Sequence, residues 1–413
     1  MDNTKRIKLA CYTANVSGAV VANLSPLLFL TFHELYGISY SLLGLLVLIN
    51  FCTQLLIDLI FSFFSHRFNI PLTVRLMPVL TMLGLVSYAL LPFVMPNNVY
   101  LAVVIGTVMF SLSGGLGEVL LSPTIAALPS DNPEREMSKL HSVYAWGVVA
   151  VVVAATVFFL AFGEENWQWL ALALATVPLF CAILFMGAEI PAMETPKKAS
   201  GALRYFRNPC VWLCVAAIFL GGASECTMGQ WCSGYVEAAL GLPKVFGDLF
   251  GVALFSVMLG LGRSLYAKYG KNMERVLFGG GIGAAVCYLV AALTDIAVLG
   301  LFACALTGFF VSMLWPGSLV VAEGRVPESG VFIFAIMAAG GDLGASVGPQ
   351  LVGVVADTVA ANSSFASFAA ELGMTMEQLG MKCGMLAGAI FPLLAILVYG
   401  IILKTKNKSK NVN

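Results

Sequence analysis

Four acidic residues lie inside long apolar stretches of the sequence, where a carboxyl group is unusual. They are Asp58, Glu118, Glu225 and Asp342. An ionisable side chain surrounded by hydrocarbon is costly, so an acid in such a stretch indicates by default a site for a solute or an ion. These four residues are therefore the first candidates for function.

Glu118 follows the glycine-rich run Gly114-Gly115-Leu116-Gly117 and precedes Pro123. Glycines allow a neighbouring helix or a ligand to approach the backbone closely. The proline frees a carbonyl and permits a bend. A carboxyl in this setting suits a proton carrier or an acceptor for solute hydroxyls. The alternative is a structural acid that bonds to a neighbouring helix.

Glu225 is followed by Thr227, Gln230 and Trp231. Amide and carboxyl groups beside an aromatic face are what proteins use to hold polyols. The set covers about two helical turns, so it lines one wall only if the helix bends. The alternative is that Trp231 belongs to the aromatic belt at the membrane interface.

Asp342 stands among glycines, whose first interpretation is close helix packing, and Asp58 lies toward the predicted inner end of its helix. We predict a gating role for both acids. Other polar or aromatic residues in apolar stretches are candidates to line a solute site, with helix–helix packing as the alternative. They are Asn23, Gln54, Tyr144 and Trp315.

The composition describes a chain that faces lipid. Hydrophobic residues make up 59% of the 413 residues and charged residues only 11%, whereas soluble domains carry about 25% charged residues. The net charge of zero argues against a nucleic-acid partner. The sequence has scattered cysteines, three histidines and no nucleotide-binding motif, so we expect no metal, no cofactor and no enzymatic activity.

A membrane-spanning helix needs about 20 mostly apolar residues. The sequence predicts twelve such helices, which makes the fold an all-α membrane protein. The predicted segments are 9–32, 40–64, 71–95, 99–128, 138–162, 166–187, 209–238, 245–269, 273–294, 297–323, 329–359 and 379–404.

The basic residues test this arrangement. All but two of the 22 lysines and arginines fall on one side of the predicted helices, and the exceptions are Lys244 and Lys382. Basic residues stay in the cytoplasm, so both termini are predicted to be cytoplasmic. The first helix is expected to remain as an uncleaved anchor in a bacterial-type inner membrane.

The longest hydrophilic interior segment, 189–208, divides the predicted helices into two sets of six. We predict an N-terminal bundle over 1–188, a cytoplasmic linker over 189–208 and a C-terminal bundle over 209–413. The halves form a weak parallel repeat, in which Leu121-Ser122-Pro123-Thr124 corresponds to Leu314-Trp315-Pro316-Gly317. The segment at 360–378 is long, and the sequence gives it no function.

Five short segments, in order along the chain, resemble the fucose/glucose–proton symporter group of the major facilitator superfamily. They are Gly114–Glu118 with Pro123, Leu140–Gly147, Gly222–Glu225 with Trp231 and Tyr235, Gly260–Arg263, and Trp315-Pro316. The resemblance implies two pseudo-symmetric six-helix bundles and alternating access to a site near the middle of the membrane. It also implies that Glu118 takes part in sugar binding and proton coupling.

Two segments depart from that group. The group carries an aspartate in its first helix, where this chain has Ala22-Asn23-Leu24-Ser25-Pro26 and Asn23 is the matching polar residue. The loop Ser65-His66-Arg67-Phe68-Asn69 keeps an arginine but lacks the other charged residues typical of the superfamily. The first departure weakens the expectation of proton coupling.

The sequence therefore predicts a monomeric transporter, surrounded by membrane lipid, that takes up a small sugar or polyol with protons or another cation. Glu118 would carry the proton or bind hydroxyls, and Arg263 would shape the inner gate. The residues predicted to line the solute site are Asn23, Gln54, Tyr144, Glu225, Gln230, Trp231 and Trp315. Export of drugs or metabolites by the same fold is the first alternative, and a membrane sensor or scaffold without transport is the second.

Overall fold

The computed structural model describes residues 2–64, 67–129, 133–191, 207–326 and 331–410. Most of the predicted linker 189–208 and part of the loop 65–69 lie outside the described residues. The described residues form helices and no strands.

Eight α-helices precede residue 192 and ten follow residue 206. The first eight are α1 (Asn3–Leu27), α2 (Phe29–Tyr36), α3 (Tyr40–Phe64), α4 (Ile70–Val94), α5 (Val99–Ala126), α6 (Pro133–Phe162), α7 (Trp167–Leu174) and α8 (Thr176–Met186). The others are α9 (Pro209–Ala238), α10 (Lys244–Phe246), α11 (Leu254–Tyr269), α12 (Met273–Leu293), α13 (Ala297–Val311), α14 (Leu314–Arg325), α15 (Val331–Ala361), α16 (Ala366–Glu371), α17 (Met376–Gly388) and α18 (Ile390–Lys410).

Each of the twelve predicted segments coincides with one helix or with consecutive helices. Among the described residues, ten helical segments are long and apolar enough to cross a membrane, and an eleventh is the pair α1 and α2, which bends by 44°. The described apolar part of α6 is the shorter stretch Trp146–Phe162. The prediction of an all-α membrane fold is confirmed.

Local chemistry explains where the helices begin. Asn69 accepts a hydrogen bond from the Leu72 N–H and starts α4, and Asn208 caps α9 through the Cys210 N–H. Both helices have a proline at one of their first two positions. A backbone N–H there would have no partner within the helix, so the N–H that proline lacks is not missed. At the end of α2, Gly37 adopts φ 63°, a left-handed conformation that suits glycine.

The chain divides into two compact units. The first comprises residues 1–38 and 49–199. Within it, α4 and α5 meet where a Cβ on Gly84 would lie 2.6 Å from the Phe110 nitrogen and a Cβ on Gly106 would lie 2.6 Å from the Tyr88 Cα. Small residues that let two backbones approach are the usual way that helices pack in membranes.

The second unit comprises residues 39–48 and 200–413. There α15 packs on α9, because a Cβ on Gly344 would collide with the Phe219 carbonyl and one on Gly340 would lie 2.9 Å from Val215. The glycines around Asp342 therefore serve close helix packing, which is the first interpretation that the sequence suggested.

Residues 40–48 of α3 belong to the second unit, and the rest of α3 belongs to the first. Asp357 on α15 accepts hydrogen bonds from two N–H groups in the first turn of α3, those of Tyr40 at 3.0 Å and Ser41 at 2.5 Å. The Tyr40 hydroxyl donates to Glu377 on α17. The first N–H groups of a helix have no partner within that helix, and a carboxylate there also suits the helix dipole.

Replacing the acceptor tests this anchorage. We expect Asp357→Ala to lower the free energy of unfolding by about 0.5–2 kcal/mol, the usual cost of removing a helix-capping group. The measurement is thermal unfolding of the purified protein in detergent. Thr358→Ala is the matched control, since the Thr358 hydroxyl bonds only within α15, to the Val354 carbonyl. Equal stability of the two variants would contradict the assignment.

Candidate functional site

In the first unit, α3 and α5 come into close contact next to Glu118. A Cβ on Gly115 would lie 2.9 Å from the Gln54 carbonyl oxygen and from the Ile57 Cβ, and one on Gly114 would lie 3.0 Å from the Gln54 Oε1. Any larger side chain at Gly115 would push the helices apart. The glycine run that precedes Glu118 thus sets the distance between the two helices.

This contact brings two acids together. Asp58 lies one turn after Gln54 on α3 and Glu118 lies one turn after Gly114 on α5, so their carboxylates come within 4.8 Å of each other. Asp58 is buried, whereas the side chain of Glu118 is exposed. The sequence placed Asp58 at a gate, and the structure places it beside Glu118.

Two carboxylates at this separation repel each other when both are ionised. A proton shared between them, or a cation held by their oxygens, removes that repulsion. The arrangement is therefore chemically able to take up and release one positive charge, with Glu118 on the accessible side.

The amides of the first unit have different surroundings. Asn23 donates to the Ala19 carbonyl of its own helix at 2.9 Å, and Asn50 accepts from the Ser111 hydroxyl at 2.6 Å. Gln54 is buried against Gly114, one turn from Asp58. Tyr144 is exposed on α6, where a Cβ on Gly18 would lie 4.0 Å from its ring.

In the second unit, Glu225 and Arg263 form an ion pair. The Arg263 Nη2 lies 3.2 Å from the Glu225 Oε1, and the two side chains are 41% and 18% exposed respectively. The Arg263 Nε also donates to the Ser312 carbonyl at 3.0 Å. Arg263, predicted as a gate residue, thus joins α9 and α11 to the break before α14.

A proline explains why the Ser312 carbonyl is available. In a continuous helix the N–H of residue 316 would bond to the carbonyl of residue 312, but Pro316 has no N–H. Arg263 takes this free acceptor. The sequence did not identify Ser312, because a functional backbone oxygen does not depend on the residue type. The spacing of four residues between Ser312 and Pro316 could have indicated it.

Trp315 lies one helical turn from the ion-pair contacts, both along its own part of the chain and across to α9. Its ring packs on Gly222, one turn before Glu225, where a Cβ would lie 2.8 Å from the ring. Trp315 itself follows Ser312 by one turn and is half-buried. The second unit therefore places an acid, a base and a half-buried indole on neighbouring turns. The sequence predicted Glu225 and Trp315 for the solute site and Arg263 for the gate.

Three further candidate residues, Trp231, Asp342 and Gln230, also lie in the second unit. Trp231 is fully buried, and its Nε1 donates to the Pro349 carbonyl at 2.9 Å. Asp342 is buried within α15, and Gln230 is half-buried on α9. The contacts of Trp231 are those of a packing residue, and solute contact or gating by these three residues stays a prediction.

The helices define an integral membrane protein, and its fold is that of a membrane transporter. The family model of the Major Facilitator Superfamily matches residues 10–349, and the chain belongs to that superfamily. No curated protein matches the sequence of the chain.

Solved structures share the fold at low sequence identity. A bacterial homologue of the human lysosomal transporter Spinster is 12% identical with a TM-score of 0.73, over 98% of both chains. A D-xylose–proton symporter is 16% identical with a TM-score of 0.70, over 95% of this chain and 97% of the other. The fucose:proton symporter of E. coli is 14% identical with a TM-score of 0.59, over 95% and 99%.

The ion pair is tested by removing its charges one at a time and together. Arg263→Met should destabilise the protein, because it leaves the Glu225 charge without its partner. Adding Glu225→Gln should recover part of that loss, with a coupling of about 0.5–3 kcal/mol. Thermal unfolding of the single and double variants measures it.

Lys268→Met, a charge removal at an exposed position near the end of α11, serves as the control for the ion pair. Strictly additive losses in the double variant would show that Arg263 and Glu225 do not depend on each other.

Proposed function

We propose that this protein takes up a small neutral polar solute, a sugar or polyol, together with protons, by alternating access. The observation that supports it most directly is the acid pair of the first unit. An exposed carboxyl on Glu118 lies beside a buried one on Asp58, and neither α3 nor α5 contains another charged residue.

The pair suits proton coupling because its two acids share one environment and differ in access. Glu118 can exchange a proton with water. An ionised Asp58 repels the ionised form of Glu118 and therefore favours its protonated form. Proton loading and release would then change the charge of the site by one unit, which is what coupling to a proton gradient needs.

The cluster of Glu225, Arg263 and Trp315 suits a polyol. Glu225 offers acceptors and Arg263 offers donors, so neighbouring hydroxyls could bond to both. The two charges cancel, which favours a neutral solute over an ion. Trp315 adds a flat apolar surface of the kind that binds the non-polar face of a sugar ring.

The structural neighbours agree with this solute class in part. They include a D-xylose–proton symporter and a fucose:proton symporter, and also a nucleoside transporter and a peptide transporter. Neutral, hydroxyl-bearing solutes are common to the first three.

We also propose an inner-membrane location with both termini in the cytoplasm. The distribution of basic residues supports it, and the surroundings of the two exceptions do as well. Lys382 is buried and donates to Asp295 and to the Thr294 carbonyl, both at 2.8 Å, beyond the end of α12. Lys244 is buried too. Neither lysine presents a bare charge at the outer surface.

Removing the acid tests proton coupling. A thermal-shift screen against sugars and polyols at two pH values first identifies a ligand of the purified protein. We then expect Glu118→Gln to abolish gradient-driven uptake of that ligand in proteoliposomes while exchange of labelled for unlabelled ligand continues, because only the proton-dependent step is lost.

Glu34→Gln, at an exposed position on α2, is the matched control for Glu118→Gln and should take up the ligand normally. Full accumulation by the Glu118→Gln protein would remove the proposed role of the acid pair. Failure of every sugar and polyol to bind or exchange would instead favour export of another solute class.

The role of Trp315 is tested separately. We expect Trp315→Ala to raise the KM for the ligand roughly tenfold, the equivalent of about 1.4 kcal/mol, since it removes an aromatic contact. Trp315→Phe should restore part of the affinity. Trp212→Ala, at an exposed aromatic residue of α9, is the control, and an unchanged KM in Trp315→Ala would exclude solute contact.

A further inference from the structure

The segment between α15 and α17 is fixed at the membrane surface by its two ends. The helical segments on either side are long and apolar enough to span the membrane: α15 up to Ala361, and α17 together with α18 from Met376. The chain between them has only 14 residues. Because this short segment is held at both ends and folds into helical turns, it stays near the level of the headgroups.

This segment has a defined helical structure. A 3-10 turn at Ser363–Phe365 runs directly into α16, and the Asn362 side chain caps the turn by accepting from the Ser364 N–H at 3.0 Å. Gly373 then ends the segment in a left-handed conformation with φ 65°. On α16, Ala369 is buried against the protein.

Apolar and polar side chains lie on different sides of this segment. Phe365, Phe368 and Leu372 are 39%, 50% and 47% exposed, and their spacing of three and four residues places them in one stripe next to Ala369. Ser367 and Ala370 lie on the opposite side and are exposed as well. The stripe is apolar, and the opposite side is polar or small.

From this placement we infer that α16 and the residues that flank it form an interfacial segment, whose stripe of Phe365, Phe368 and Leu372 inserts into the boundary between lipid headgroups and acyl chains. The occupant of the stripe is the bilayer itself, because the two membrane-spanning segments that hold residues 362–375 end directly on either side of them. Residues 362–375 contain no basic residue and one acid, Glu371. Apolar burial, rather than attraction to anionic lipid, is then the driving force.

Short length does not prevent this binding. A free peptide of this size would gain too little from three side chains, but α16 is already tethered at both ends beside the membrane. The inference depends on the spanning helices and not on the proposed transport of sugars, so the two can fail independently.

A tryptophan at two positions tests the insertion. Phe368→Trp places the probe in the stripe, and Ser367→Trp places the same probe on the opposite side as the matched control. Both proteins are reconstituted in phosphatidylcholine vesicles, with bromine carried either near the headgroup end of the acyl chains or near the chain ends. The fluorescence of the unsubstituted protein is subtracted, and uptake of the ligand is measured in parallel as a separate readout.

We expect the Phe368→Trp emission to be shifted to shorter wavelength and quenched more strongly by bromine near the headgroups than by bromine near the chain ends. The Ser367→Trp emission should remain at long wavelength and be quenched little by either lipid. Blue-shifted emission without quenching would mean that protein, such as a second copy of the chain, covers the stripe, and would overturn the inference. Long-wavelength, unquenched emission from both variants would overturn it as well.

Discussion

Within the hydrocarbon of a membrane, no water can form a hydrogen bond with a polar group that lacks a partner in the protein. This constraint shapes both candidate sites. Pro316 removes an N–H and leaves the Ser312 carbonyl free, and Arg263 supplies the missing donor from another helix. The same guanidinium neutralises Glu225. A single basic side chain thus satisfies a helix break and a half-buried acid. This structural role explains the position of Arg263 without any contact to a solute.

Glycines determine which polar groups can meet. Gly114 and Gly115 let α5 approach α3 until Asp58 and Glu118 are within 4.8 Å of each other. Gly222 accommodates the Trp315 ring one turn before Glu225. Because the hydrophobic effect does not drive helices together within a bilayer, close backbone contact is a main source of helix association. Packing and site geometry in this protein therefore rest on the same small residues.

The limits of the helices could be predicted from the sequence because each depends on local information. Apolar length, caps such as Asn69 and Asn208, and the distribution of lysine and arginine suffice for that purpose. The partners of each acid could not be predicted, since they depend on the rotation of one helix against another. Asp58 was therefore expected at a gate, and Arg263 was not expected beside Glu225. Trp231 illustrates the same limit, because its burial follows from packing on Pro349 and not from its own helix.

The anchorage of α3 has a consequence for how this chain tolerates sequence change. The donors are main-chain N–H groups of Tyr40 and Ser41, which every residue except proline supplies. Drift at these two positions leaves the donors in place, and only proline would remove one. The acceptor, by contrast, is the carboxylate of a single residue, Asp357. Sequence variation among relatives that keep this contact should therefore be broad at position 41 and narrow at position 357. Position 40 is constrained separately, because the buried Tyr40 side chain donates to Glu377.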